Sequence, residues 1–381
     1  MMRYRVLGKS GLRVSELCLG TMTFMEGLPW GSLRAESERV FEEFMEAGGN
    51  FVDTSNTYGT SEEFLAEFMR GRRERVVVGT KYGGSLPSND ANAAGSHRKS
   101  LVRSVEGSLR RLKTEYIDLL WLNAWDFMTP IEEIMRALDD LVQQSKVLHI
   151  GVSNTSAWFV ARANTIAEFR GWTPFVAIQV AYNLLQRDVE RELLPMANEL
   201  DIGVLAWTPL ASGFLTGKYQ AAASVTNAVK TLSSETRRLD DPVAANFVRR
   251  TERTALIASE VSRQAAEIGV APAQIALNWL RRRGVIPLFG ARTAVQVKEN
   301  VASIDFELSN EHMCRLDEAS RISLGFPHDF LASRLVRDHM YGGMFDAIHG
   351  SPTVPDQLPN RPNHNLEALP SLRRNAWRAA I

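Results

Sequence analysis

Short runs of apolar residues recur along the chain, separated by longer stretches in which apolar positions return every three or four residues. The short runs are Leu17–Met22, Phe51–Ser55, Val76–Lys81, Ile117–Asn123, His149–Ser153, Ala177–Tyr182, Gly203–Trp207 and Val285–Gly290. They are continuously apolar rather than alternating, which predicts strands covered on both faces, as in parallel sheets. Between them, Ile131, Ile134, Met135, Leu138, Leu141 and Val142 fall on one helical stripe. Thr129-Pro130-Ile131-Glu132 ahead of it reads as a capping box with proline in the first turn. Ser100–Leu112, Thr254–Ile268 and Ala273–Leu280, the last opened by Pro272, are further helical stretches. Eight such alternations predict an α/β fold closed into a (β/α)8 barrel. An open doubly wound sheet is expected to carry GxGxxG after its first strand, and the chain has no such motif.

Two departures from the repeat stand out. Tyr4–Leu7 and Arg13–Val14 flank Gly-Lys-Ser-Gly, which predicts an N-terminal β-hairpin plugging the barrel floor. After the seventh strand a long insertion, about Ala211–Asn246, reads as a functional lid. The domain reading is a barrel over residues 1–320 and a C-terminal extension over 321–381, partly irregular and packed on the barrel. Pro352, Pro355, Pro359, Pro362 and Pro370 favour extended chain there. That tail is expected to wrap its own barrel, to join a homo-oligomer or to stay mobile. Phe326, Phe330 and Tyr341 are expected to pack on the barrel wall or to line the pocket.

Composition narrows the function. Lys+Arg and Asp+Glu both number 44 in 381 residues, so no global positive field draws nucleic acid or an acidic membrane. The run Arg281-Arg282-Arg283 reads as a solvated cap on a helix C-terminus. Cys18 and Cys314 form no CxxC pair and suit reduced thiols in the cytoplasm; no segment has the apolar length of a membrane helix. The histidines have no metal-ligand spacing, and no metal is expected; His149, at the start of a strand, reads as structural.

Candidate chemistry gathers at the C-terminal strand ends, where barrel active sites are built. Asp53, Tyr58, Lys81, Asn123, Ser153, Asn154 and Gln179 all fall there. A tyrosine, with an ordinary pKa near 10, is a poor acid or base at neutral pH. An ammonium beside it favours the phenolate, and a carboxylate behind the ammonium keeps that charge in place. On these residues alone, an Asp53–Lys81 structural ion pair is an equal reading.

These residues and their surroundings resemble the aldo-keto reductase family. The likeness runs from Leu7-Gly8 to Leu316 through Leu19–Phe24, Asp53–Gly59, Gly79–Gly83, Gly151–Asn154, Gln179 with Tyr182-Asn183, Trp207–Tyr219 and Pro287–Asn300. The resemblance implies NADPH across the barrel mouth and reversible reduction of a small aldehyde or ketone to an alcohol. Tyr58 would be the general acid, Lys81 its partner and Asp53 the anchor of that lysine. Thr21, Asp53, Ser153, Asn154, Gln179 and Trp207 would meet the nicotinamide end. Thr208, Pro209, Leu210, Ser212, Gly213 and Lys218 would wrap the pyrophosphate; a P-loop is rejected because its spacing is one residue short. Gly290, Arg292, Gln296, Glu299 and Asn300 would hold the adenosine end, with Arg292 on the 2′-phosphate and Arg237 as a second phosphate contact. Phe24, Trp30 and Trp125 would shape the substrate pocket. Asn123 stands where most of the family has histidine, as in the β subunits that accompany potassium channels. Its amide donates a hydrogen bond but relays no proton. The alternative function is an NADPH-binding redox-sensing module with slow or no turnover.

Overall fold

The computed structural model describes residues 1–85, 89–219 and 248–348. A two-stranded antiparallel hairpin, β1 (Tyr4–Val6) and β2 (Arg13–Ser15), precedes eight strands closed into a parallel barrel. In chain order these are β3 (Cys18–Gly20), β4 (Phe51–Asp53), β5 (Val77–Tyr82), β6 (Ile117–Leu122), β7 (Val147–Ser153), β8 (Phe175–Ala181), β9 (Gly203–Trp207) and β10 (Ile286–Gly290). Each pairs with the next, and β10 returns to β3. Every apolar run thus forms a strand and the (β/α)8 expectation holds.

The hairpin closes the floor. Leu7 and Val14 are fully buried with the inward residues Cys18, Phe51, Leu119, Trp121, Leu205 and Ile286. Gly8 makes this approach possible. It sits at φ +53°, and a Cβ there would lie 2.2 Å from the Val176 carbonyl oxygen. Outside the barrel, helix 131–143 buries Ile131, Ile134, Met135, Leu138 and Leu141 against the strands. Each such side chain contributes about 1.5–3 kcal/mol by leaving water.

Two local expectations need correction. The helix at Ile131 begins without a threonine cap, since Pro130 is the N-cap and makes no side-chain cap bond. The Thr129 hydroxyl instead donates to Asp126 Oδ2 at 2.7 Å. The hydroxyl's single proton goes to a charged acceptor, and that bond fixes the threonine on Asp126. The three arginines are not a solvated cap either. Arg281 is buried on Glu16 at 2.6 Å and donates to the Ser303 carbonyl at 2.7 Å. Arg282 reaches Asn310 at 2.8 Å, while Arg283 pairs with Asp317 and lies 4.5 Å over the Trp279 ring. The helix end packs between the hairpin and the last barrel helix, Asn310–Ala319, so its cations become internal ties.

Beyond Ser320 the chain is held by its carbonyls. Arg253 donates to Ser320 O at 2.8 Å, and Arg191 donates to Ser323 O at 2.9 Å and Leu324 O at 3.1 Å. A segment gripped by its backbone leaves its rings outward. Phe326 and Phe330 meet at a tilt with ring centres 6.0 Å apart and are exposed, so they neither line the cavity nor pack on the wall. Arg237, most of the long insertion and the proline-rich tail lie outside the described residues. Cys18 is buried and Cys314 exposed, and the two are not joined in a disulfide. Among the described residues no helix is long and apolar enough to cross a membrane, and no His/Cys/Asp/Glu group is arranged to hold a metal.

Candidate active site

A cavity of about 500 Å³ opens at the C-terminal ends of the strands. The last inward position of each strand faces it because side chains alternate and only every second residue turns into the barrel. Asp53 ends β4, Lys81 lies one residue from the end of β5, Asn123 follows β6, Ser153 ends β7, Gln179 sits in β8 and Trp207 ends β9. All six line the cavity, together with Tyr58 from the loop after β4.

The centre is a buried ion pair. Lys81 Nζ is bonded to Asp53 Oδ2 and donates to the Thr54 carbonyl at 2.7 Å. The other carboxylate oxygen accepts from Gln179 Nε2 at 2.8 Å. Lys81 Nζ stands 5.1 Å from the centre of the half-buried Tyr58 ring. Burial pushes the Asp53 carboxyl up, against the pull of Lys81, Gln179 and Trp121, and a net rise remains. Burial by itself would lower Lys81; facing Asp53 and Tyr58 outweighs it and holds the ammonium above its ordinary value. The lysine therefore stays charged although it is almost fully buried. That arrangement can steady a developing phenolate and orient a proton donor.

Around this centre the polar groups interlock. Ser153 Oγ donates to the Gln179 carbonyl at 2.7 Å, and Asn154 Nδ2 donates to the Asn123 carbonyl at 3.0 Å. Trp207 Nε1 donates to Asn154 Oδ1 at 3.0 Å, which fixes the plane of the indole. Asn183 Nδ2 holds the Thr208 carbonyl at 2.9 Å. Past it the backbone enters the left-handed region at Ala211, Ser212 and Gly213. The buried Ser212 hydroxyl has no hydrogen-bond partner among the described residues, and a Cβ on Gly213 would lie 2.8 Å from Lys218 Nζ. Turned amides, an unsatisfied hydroxyl and a nearby ammonium form a cradle of the kind that receives phosphate oxygens. On the far side, Gly290, Arg292, Gln296, Glu299 and Asn300 line the same cavity, and Gln296 Oε1 accepts the Arg292 N–H at 2.8 Å.

Thr21 stands apart from its expected place. It is fully buried, donating to the Asp53 carbonyl at 3.0 Å and accepting from Ser61 at 2.7 Å, so it braces β4 behind the site. Phe24 is buried against Phe68 at 6.1 Å, and Trp125 packs 4.9 Å from Phe159; neither lines the cavity, whereas Trp30 does. Sequence reading gave no role to Gly20, Met22, Thr23, Ala273, Leu288 and Phe289 in the lining. These are small or apolar and carry no chemical signature.

The family model for the aldo/keto reductase family matches residues 16–321. The chain belongs to the aldo/keto reductase family, a family of oxidoreductases. Among similar proteins is the norsolorinic acid reductase of Emericella nidulans, 38% identical, with 86% of this chain and 84% of the relative covered. An aldo-keto reductase of the same organism is 34% identical over 86% of this chain and 84% of its own. The aryl-alcohol dehydrogenase of Pestalotiopsis microspora is 32% identical over 90% of this chain and 86% of its own. In this aldo/keto reductase the loop after Asn123 is tied down by one carboxylate. Asp126 accepts the N–H groups of Ser96 at 2.7 Å, Thr129 at 2.8 Å and Met128 at 3.0 Å.

That carboxylate gives a pH prediction. Burial pushes Asp126 up, but the Thr129 and Ser96 amides win and hold it down at about 2. A carboxyl with a depressed folded value stabilises fully above its unfolded value and loses that stability as pH falls toward the folded one. Asp126→Asn is thus expected to cost about 1 kcal/mol at pH 7, after discounting for solvent screening. The gap to the wild type should narrow between pH 4 and 2. Urea midpoints across that range check it; a gap independent of pH would assign the cost to the lost geometry alone.

Proposed function

We propose that this protein is an NADPH-dependent reductase of aromatic aldehydes or ketones, working in reverse as an alcohol dehydrogenase. The convergence of Asp53, Lys81, Tyr58 and Asn123 on one cavity that also carries a phosphate-type cradle supports this reading. The name of one relative, an aryl-alcohol dehydrogenase, supports the aromatic substrate class. When bound, the nicotinamide cofactor supplies a hydride. Thr208–Leu210, Ser212, Gly213 and Lys218 would hold its pyrophosphate. Arg292, Gln296, Glu299 and Asn300 would hold the adenosine end. Asn154, Ser153 and Gln179 would meet the carboxamide, beside the Trp207 face.

The chain's own part in the reaction is polar control. Tyr58 gives its phenolic proton to the carbonyl oxygen, and Lys81 steadies the phenolate that forms. Asp53 keeps Lys81 charged and pointed at Tyr58. Asn123 donates an amide hydrogen bond toward the same oxygen and moves no proton. Met22, Trp30 and Trp207 offer apolar and aromatic surface that suits a flat ring system.

The test is a fluorescence titration with NADPH and NADH, followed by turnover on a panel of aromatic aldehydes and ketones. Quenching by NADPH and steady oxidation support the reading. Tight binding without turnover would favour a redox-sensing role, and no binding would overturn both. On an enone, an allylic alcohol supports carbonyl reduction and a saturated ketone supports double-bond reduction. Arg292→Ala is expected to raise KM for NADPH about tenfold or more while changing that for NADH little, since a guanidinium matches a phosphate bidentately. Equal changes for both would show that Arg292 does not meet the 2′-phosphate.

A further inference from the structure

Beneath the catalytic pair, the barrel interior is filled by one large side chain. Trp121 is carried inward on β6 and is fully buried. Two glycines of the adjacent strands flank it: Gly151 of β7 is its register partner, and Gly79 of β5, paired to Leu119, lies two residues before its other register partner, Lys81. A Cβ on Gly151 would lie 2.5 Å from the Trp121 ring carbons. A Cβ on Gly79 would lie 2.8 Å from Trp121 Nε1 and 3.3 Å from Asp53 Oδ1, so those two atoms flank one point. Two strands have given up their side chains here, and the space goes to an indole whose polar edge is turned to the carboxylate. The N–H completes no hydrogen bond of full geometry among the described residues, yet it disfavours protonation of Asp53. A buried indole N–H normally finds an acceptor.

We propose that Trp121 is a positioning residue of the active site: its indole N–H backs the Asp53 carboxylate from below, as Gln179 does from the side, and so keeps Lys81 aimed at Tyr58. The proposal rests on the reading of Asp53, Lys81 and Tyr58 given above. Two titratable groups face Asp53, Lys81 from β5 and the Cys18 thiol from β3, while Tyr58 from the loop after β4 faces Lys81. Trp121 itself never titrates. It acts as a fixed dipole that favours the charged form of the pair over a neutral one in which the proton has moved from lysine to aspartate.

The consequences are specific. Trp121→Phe keeps most of the filling ring and removes the donor. Lys81 then carries less charge on average, and a phenolate beside it is less favoured. The expected result is a three- to tenfold fall in kcat with an unchanged dissociation constant for NADPH. The high-pH limb of the reduction profile should move upward by about half a pH unit, a factor of about three in the underlying equilibrium. A side chain that only fills space predicts lower stability with an unmoved profile, and that outcome would overturn the proposal. A second measurement needs no Trp121 variant. In 1H–15N spectra, Asp53→Asn should shift an indole N–H signal that is protected from exchange with solvent, as a buried indole beside that carboxylate requires. No such shift would also overturn the proposal. Failure of the parent reading is distinguishable: it would appear as a Tyr58→Phe variant that retains full activity. An inactive Tyr58→Phe with a wild-type profile in Trp121→Phe sinks this inference alone.

Discussion

Tyr58→Phe is expected to lower turnover on any aromatic carbonyl substrate by about 10²–10⁴-fold, the usual contribution of a positioned proton donor. The dissociation constant for NADPH should change by less than about threefold. The ring remains in place 5.1 Å from Lys81 Nζ, with only its hydroxyl removed. An effect confined to kcat marks an interaction made in the transition state rather than in binding. Stopped-flow single turnovers separate the chemical step from cofactor release and are the measurement of choice. A drop of less than about tenfold would move the proton donor elsewhere. Asn123 cannot replace it, since an amide does not titrate, and among the described residues no histidine lines the cavity.

The second large effect is on stability. Lys81→Met leaves Asp53 buried, 1% exposed and without its counter-charge. Breaking a buried pair from one side costs about 3–5 kcal/mol, because the remaining charge has no solvent to turn to. Lys81→Met should therefore lower the urea midpoint strongly and abolish activity. Lys81→Met combined with Asp53→Leu should recover more than half of that loss, since an apolar pair of similar volume is close to neutral. Gln179 and Trp121 would lose their acceptor, which keeps the recovery partial. The double variant should stay inactive. A Lys81→Met protein as stable as the wild type would mean that Asp53 takes up a proton in the folded state at little cost. The pair would then not be held in its charged form.

The eight strands were legible because a barrel strand covered on both faces must be apolar throughout, and helices between strands must carry a stripe. The hairpin could be read as a floor because Gly8-Lys9-Ser10-Gly11 turns between two short runs, whose Leu7 and Val14 are fully buried. The site was legible where chemistry demands a residue type. Asp53, Lys81, Gln179 and Trp207 were placed at strand ends, and the strands bring them to one cavity. What stayed hidden depends on partners distant in sequence. Thr21 looks like a mouth residue, yet Ser61, forty positions on, turns it inward. Gln179 was read as facing the cofactor, and one of its amide protons is committed to Asp53, 126 residues earlier. Arg281 and Arg283 read as surface charges because Glu16 and Asp317 are remote in the chain. Trp121 reads as an ordinary core residue until Gly79 and Gly151 are seen on either side of it. Paired glycines at inward positions of neighbouring strands were the available signal.

The central claim is that this cavity reduces a carbonyl group with a hydride from NADPH. Purified protein is incubated with an aryl aldehyde or aryl ketone and NADPH deuterated on one face of C4, then separately on the other. The alcohol is analysed by mass spectrometry. The account predicts deuterium on the carbinol carbon from one labelled face only, at a rate that Tyr58→Phe abolishes. Alcohol without label from either face, or labelled cofactor left unconsumed beside every carbonyl offered, would contradict it.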